Sequence, residues 1–239
     1  MARRTAAVQH ERLASEDTRT RLLMAAVHVF AERGYEKTTI REICGRAGAN
    51  VALVNYHFGD KMELYLEVIR HAIDASAKME IVNKALEENA DPCGALRQII
   101  RGVIERFSET SSRYGPQFGL HLRLLVKEAA QPTPALSRVI DETLRPLYDR
   151  LRLLIAQILD LPVDHQTTRL CTHSIMGQVA HYALARPLLA HLWPEMQMTP
   201  GQRRMVADHI ADFSLAYLRA QRLKGNIRTM PASSKRRPK

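Results

Sequence analysis

Residues 38–61 read TTIREICGRAGANVALVNYHFGDK, and this stretch decides the fold. Ile40, Ile43, Cys44 and Ala47 recur at helical spacing behind Thr38 or Thr39, and Gly48 stops the pattern after roughly two to three turns. Asn50 offers an N-cap to a second short helix, VALVNYHF, which Gly59 and Asp60 break. Two short helices around Gly48, Ala49 and Asn50 predict a helix-turn-helix. In that motif the second helix lies in the major groove while the first crosses the DNA backbone and braces it. Ile40, Ile43, Ala47, Leu53, Val54 and Phe58 supply the inner apolar seam, and Gly48 and Ala49 keep bulk out of the turn. The outer face of the second helix then carries Asn50, Val51, Ala52, Asn55, Tyr56 and His57. Asn can pair bidentately with adenine, and small apolar groups meet a thymine methyl. Tyr and His suit phosphate oxygens, which set register without reading sequence. Thr39 and Lys61, each near a helix start, are further phosphate candidates. Thr38 and Arg41 complete the candidate DNA-binding set.

Outward from this core, Leu22, Leu23, Ala26, Val27 and Phe30 share one helical face. Ser15 or Asp17 is the expected N-cap of that helix, Gly34 its C′ stop, and Tyr35 packs back behind it. Residues 1–15 read as a flexible basic arm; its Arg3, Arg4 and Arg12 fit either a minor-groove role or a free end. On the other side, Asp60 can cap a helix starting at Lys61, with Glu63 beside its positive end. Nearly everything beyond reads helical, roughly over 61–86, 93–110, 116–130, 134–160, 165–190 and 200–222. Pro146 falls inside one of these runs and is expected to kink it. Alternating strand patterns are absent from the sequence. The prediction is an all-α protein. A three-helix domain with the helix-turn-helix spans 16–62, a larger helical ligand-binding and dimerisation domain spans 63–222, and a disordered basic tail covers 223–239.

The pattern F-x-x-x-G-Y-x-x-T-T-I-R-E-I followed by AGANVALVNYHFGDKMELY, over residues 30–65, resembles the tetracycline-repressor (TetR) family. Val51 departs from it, standing where many relatives carry a polar or basic residue, so a methyl contact is expected there. Further on, LHLRLLVKEAAQPTPALSRVI and THSIMGQVAHYALAR are similar to a CecR-like C-terminal domain. The resemblance implies a homodimer built by the last two long helices, ligand control of DNA affinity, and more often repression than activation. Leu170, Ile175, Val179, Leu184, Ile210, Phe213, Leu215 and Leu218 supply either that dimer seam or plain intramolecular core.

Bulk properties agree. The chain has 239 residues, 46% hydrophobic and 25% charged, which fits a globular protein. No run of about 18 apolar residues suggests a membrane span. The first residues lack the apolar centre of a secretory signal, and a cytoplasmic protein is expected. Cys44, Cys93 and Cys171 are odd in number and far apart, against a disulfide framework or zinc ribbon. The net charge of +10 divides as +3 over 1–61, −1 over 62–218 and +8 over 219–239. Basic ends favour a polyanion, although a solvated tail explains the last segment equally well. Catalytic signatures such as GxSxG, HExxH and the Walker loop are missing, so no enzyme and no cofactor are expected. His173 and His181 stand eight apart, not at the i, i+4 spacing that grips one ion, and no metal site is expected. His121, Leu125, His173, Met176, Gln178 and His181 are candidates to line an effector pocket, since a few polar groups among apolar ones orient a ligand. Surface or core positions explain the histidines equally well, and gap-filling core explains the methionines. Trp193, the single tryptophan, either caps a pocket or plugs the packing.

Overall fold

The computed structural model describes the backbone of residues 2–76, 79–113 and 117–229, and the side chains of 15–73, 79–106, 120–121, 123–182, 185 and 188–224. Among the described residues there is no strand. The helices are α1 (Ala2–Lys37), α2 (Ile40–Ala47), α3 (Val51–Phe58), α4 (Lys61–Ser76), α5 (Met79–Glu88), α6 (Pro92–Arg113), α7 (Gln117–Ala130), α8 (Pro134–Val139), α9 (Arg145–Leu159), α10 (Gln166–Leu184), α11 (Arg186–Leu192) and α12 (Pro200–Thr229). The all-α expectation holds. The contacts divide the chain into two compact units, residues 1–78 with 108–146, and 79–107 with 147–239.

In the first unit α1 packs on α2, α4 and α7, while α4 also meets α3, α7 and α8. The face foreseen on α1, Leu22, Leu23, Ala26, Val27 and Phe30, is buried. Ile43, Ala47, Val54 and Phe58 join it from the helix-turn-helix, with Ile40 and Leu53 partly buried against it. Phe30, Tyr35 and Tyr65 stack into one cluster, the Phe30–Tyr65 centroids 4.7 Å apart and Tyr35–Tyr65 4.9 Å. The core also holds a buried carboxylate. Tyr65 Oη donates to Glu128 Oε2 at 2.5 Å, and the Thr133 amide and hydroxyl donate to Oε1 at 2.9 and 2.7 Å. Glu128 thereby ties α4, α7 and the start of α8 together, accepting three hydrogen bonds. Burial, and then the Glu128 carboxylate, push the Tyr65 phenol far above its ordinary range.

In the second unit, Leu96, Ile100 and Ile104 of α6 meet Leu154, Ile155, Ile158 and Leu159 of α9, together with the inner faces of α10 and α12. Of the eight residues proposed for a dimer seam, Ile175, Val179, Ile210, Leu215 and Leu218 are intramolecular core. Leu170 and Phe213 are exposed at 60% and 62%. The Leu184 side chain lies outside the described residues.

Several boundaries differ from the sequence reading, and the run expected over 61–86 is divided between α4 and α5. Helix α1 starts at Ala2 rather than at Ser15 or Asp17, so the arm expected to be loose has helical backbone. Its sequence ARRTAAVQHERLA has no Gly or Pro and consists mostly of strong helix formers. The run expected over 165–190 breaks at Ala185, because Pro187 supplies no N–H to continue α10 and instead sits in the first turn of α11. The kink expected at Pro146 takes the form of a π-helical turn, Ile140–Leu144, just ahead of it, where the Arg145 N–H reaches Ile140 O. Residues 223–229, expected as the start of a disordered tail, continue α12 as helix, and the tail beyond 229 lies outside the described residues.

Candidate nucleic-acid interface

Local chemistry sets each end of the helix-turn-helix. Gly34 stops the α1 pattern at φ 78°, and Thr38 turns inward, its hydroxyl donating to Gly34 O at 2.7 Å. Thr39 caps α2 through a full capping box: the Glu42 amide donates to Thr39 Oγ1, and the Thr39 amide to Glu42 Oε2 at 2.9 Å. The Thr39 amide and the Thr39 hydroxyl, which donates to the same Oε2 at 3.0 Å, and then the Arg33 guanidinium paired with Glu42, hold that carboxyl below its usual range. Gly48 ends α2 at φ 61°, ψ 40°, a left-handed cap that glycine adopts without strain. Asn50 Oδ1 then accepts from the Leu53 amide at 3.0 Å and starts α3. Asp60 Oδ1 accepts from the Met62 and Glu63 amides at 2.7 and 2.9 Å and starts α4.

With both ends set, α3 buries Val54 and Phe58 and turns Val51, Ala52, Asn55 and Tyr56 outward. Tyr56 is 77% exposed, the most open large side chain on the face. His57 is half-buried, its ring edge-on to Tyr56 at 4.9 Å. Thr39 and Arg41 are exposed at the start of α2. Four of the candidates thus share one open face of α3, with two more on α2. The others are placed differently. Thr38 is buried and braces the α1–α2 joint. The Asn50 oxygen is committed to its cap. Lys61 lays its ammonium over the Tyr35 ring at 4.3 Å, with Glu36 O at 3.5 Å. The sequence reading missed Arg19, whose guanidinium lies 5.0 Å over the Phe58 ring and pairs with Glu67 at 2.8 Å. It fixes the end of α3 to α1 and α4. Its partners stand 39 and 48 positions away, and no local pattern signals that.

The effector candidates fall into two groups. His121 and Leu125 are on α7, in the first unit. His121 is fully buried, and among the described residues neither ring nitrogen has a hydrogen-bond partner. Its ring meets His71 of α4 edge-on at 5.1 Å. Burial, followed by the positive potential of His71 and His28, pushes its pKa down to about 4, so the ring is neutral near pH 7. His173, Met176, Gln178 and His181 are on α10, in the second unit. His173, Met176 and His181 are exposed, with Tyr148 Oη 3.3 Å from His173 Nε2. Gln178 reaches Ser214 of α12 at 3.5 Å. Leu170, Ser174 and Gln178 of α10 face Phe213, Tyr217 and Gln221 of α12 across an open groove of about 330 Å³. Among the described residues no cluster of three metal-ligating side chains forms. No helix among them is long and apolar enough to cross a membrane.

Comparison with known proteins gives two family matches, one in each half of the chain. Residues 22–68 match the bacterial regulatory proteins of the tetR family, and residues 113–220 match the C-terminal domain of the HTH-type transcriptional dual regulator CecR. The chain is 26% identical over 180 residues to the dual regulator CecR of Shigella flexneri, covering 72% of this chain and 78% of that protein. It is 31% identical over 124 residues to the transcriptional repressor Rv3405c of Mycobacterium tuberculosis, covering 45% and 66%. Among solved structures, a TetR-family regulator of Streptomyces coelicolor superposes with a TM-score of 0.59 at 18% identity, covering 85% of this chain and 97% of the other. The TetR-family regulator PfmR of Thermus thermophilus does so with 0.55 at 22% identity, covering 82% and 97%. These two likenesses are of fold.

Proposed function

The chain belongs to the TetR family of DNA-binding transcriptional regulators and carries a CecR-type C-terminal domain, and from that premise we propose that it is a homodimeric repressor which a small-molecule effector releases from a palindromic operator. The observation that carries the reading is the open face of α3, Val51, Ala52, Asn55 and Tyr56, on a helix capped at both ends and packed on α4. In this reading Asn55 pairs with a base while Val51 and Ala52 meet thymine methyls. Tyr56, His57, Thr39 and Arg41 hold phosphates and set register, with Lys61 adding positive charge behind them. Thr38 and Asn50 shape the motif and do not read DNA.

One reading helix covers few base pairs, so specificity calls for two at a fixed spacing, about 34 Å for adjacent half-sites. The α10–α12 groove suits a second copy. Leu170 and Met176 on one side, and Phe213 and Tyr217 on the other, leave apolar surface that a four-helix bundle would bury. The exposed His173, Met176 and His181 then belong to the dimer face, and the effector site centres on His121 and Leu125. A neutral buried imidazole offers one donor and one acceptor, and an effector supplying their complements relieves the cost of leaving them unmade. Such an effector would bear on α4 through His71. Because α4 packs on both α3 and α7, a shift there would alter the reading heads and change the balance between bound and released states.

Selection of binding sites from random DNA with the purified full chain, repeated at several salt concentrations, tests the reading. Enrichment of a palindrome with half-sites about one helical turn apart is expected. Salt-sensitive binding without an enriched sequence would mean that the basic ends bind DNA unspecifically.

A further inference from the structure

Arg19 of α1 reaches the far end of the reading helix. Helix α3 has eight residues and buries two of its side chains, Val54 and Phe58. Val54 lies at mid-helix and Phe58 closes it, so the seat of the Phe58 ring sets how the helix tilts about Val54. Helix α3 packs on α2 and α4. From α1, the Arg19 guanidinium lies over the Phe58 ring, 5.0 Å from its centroid, and donates to Glu67 Oε2 of α4 at 2.8 Å. Glu67 is itself held. Its Oε1 accepts from Arg70 Nη1 at 2.9 Å, and Arg70 pairs in turn with Glu142 of the π-helical turn. Arg19 therefore closes over one of the two anchors of α3, and the alternating charges of Glu67, Arg70 and Glu142 fix it there.

The chemistry suits positioning more than stability. The Arg19 and Glu67 side chains are 44% and 34% exposed, and an ion pair so open to water adds little to folding. A guanidinium is nonetheless a planar fork. It can lie on a ring while its N–H groups meet a carboxylate, a combination that a lysine ammonium does not reproduce. A helix of eight residues is about 12 Å long, so a tilt of about 5° moves one end by about 1 Å. A hydrogen bond to a base edge tolerates roughly half of that. We propose that Arg19 is a positioning residue for DNA reading: it fixes the tilt of α3, and with it the fit of Asn55 to its base. This rests on the reading of α3 given above. The rival role for an exposed guanidinium is a direct phosphate contact, and the two differ in what they do to sequence preference.

The test is the ratio of the full chain's affinities for its selected operator and for random DNA, measured over a range of salt. Partial unfolding lowers both affinities and leaves the ratio unchanged, so the ratio reads positioning. Arg19→Lys keeps the charge and loses the fork, while Glu67→Gln removes the fork's partner. Each is expected to lower the ratio about fivefold, and the double variant no further than either single one, because both act through one contact. The urea midpoint should stay near that of the wild type. A ratio unchanged in both variants, or losses that multiply in the double variant, overturns the proposal and leaves the operator reading standing. So does an Arg19→Met variant that weakens both DNAs alike with a salt slope shallower by about one, which makes Arg19 a phosphate contact. A wild-type chain that prefers no sequence overturns the base-reading role of α3 itself, and the role of Arg19 with it.

Discussion

Asn55 and Tyr56 are neighbours on one exposed face, yet their chemistry separates their roles. An amide that pairs with a base edge carries sequence information, whereas a phenol on a phosphate carries none. Asn55→Ala should cost about 1–3 kcal/mol on the selected operator and relax the preference at one base pair. Tyr56→Phe should weaken operator and random DNA alike. Competition binding against both DNAs separates the two; equal losses for Asn55→Ala would remove its base-reading role. Thr38 sits close to this face in sequence but is buried, with its hydroxyl on Gly34 O. Thr38→Val keeps the shape and removes the hydroxyl donor from the part-buried Gly34 carbonyl. A loss of about 1 kcal/mol is expected in urea unfolding, with the selected DNA sequence unchanged.

The elements of the reading head are short, and short helices depend on their ends. Eight residues are too few for α2 or α3 to be stable in isolation, so caps and tertiary packing hold them. Asn50→Ala removes the side-chain cap from the Leu53 amide, leaving it the Asn50 backbone O at 3.2 Å, and should cost about 1 kcal/mol of stability. DNA affinity should fall together with it, while the consensus operator stays the same. A changed consensus would mean that Asn50 touches bases after all. Gly48→Ala places a Cβ at φ 61° and should destabilise by about 1 kcal/mol through backbone strain, since nothing crowds the position. Thermal unfolding of both variants checks these magnitudes.

Over the whole molecule, the buried neutral His121 makes folding sensitive to acid. Its folded pKa of about 4 lies below the ordinary 6.5, so above that value neither state binds the proton and the group is silent. As pH falls below 6.5 the unfolded chain takes up a proton that the folded chain refuses, and stability is lost until about pH 4. Its share of the loss is on the order of 1–3 kcal/mol. Urea unfolding between about pH 7 and pH 5 should therefore show a smaller pH slope for His121→Phe than for the wild type. Identical slopes would mean that the ring is solvated or already paired. Because His121 sits on α7 against His71 of α4, an effector that pairs with its neutral ring also holds the ring unprotonated in the folded state and should leave that slope in place.

The helix-turn-helix was legible because its signals are local. Helical spacing, a left-handed glycine, and capping Thr39, Asn50 and Asp60 all act within a few residues, and the sequence of 38–61 determined both helices and their turn. The same locality identified the outward face of α3. What the chain order did not carry is which distant faces meet. That residues 108–146 pack with the first helices rather than with the second unit was decided by tertiary contacts, as were the Arg19 clamp on Phe58 and the Glu128 tie between α4, α7 and α8. Periodicity marked Ile175 and Phe213 alike as apolar helix positions; only packing buries the first and leaves the second open. The physical reason is the same throughout: caps and periods are properties of neighbours along the chain, while burial is a property of surfaces brought together by the fold.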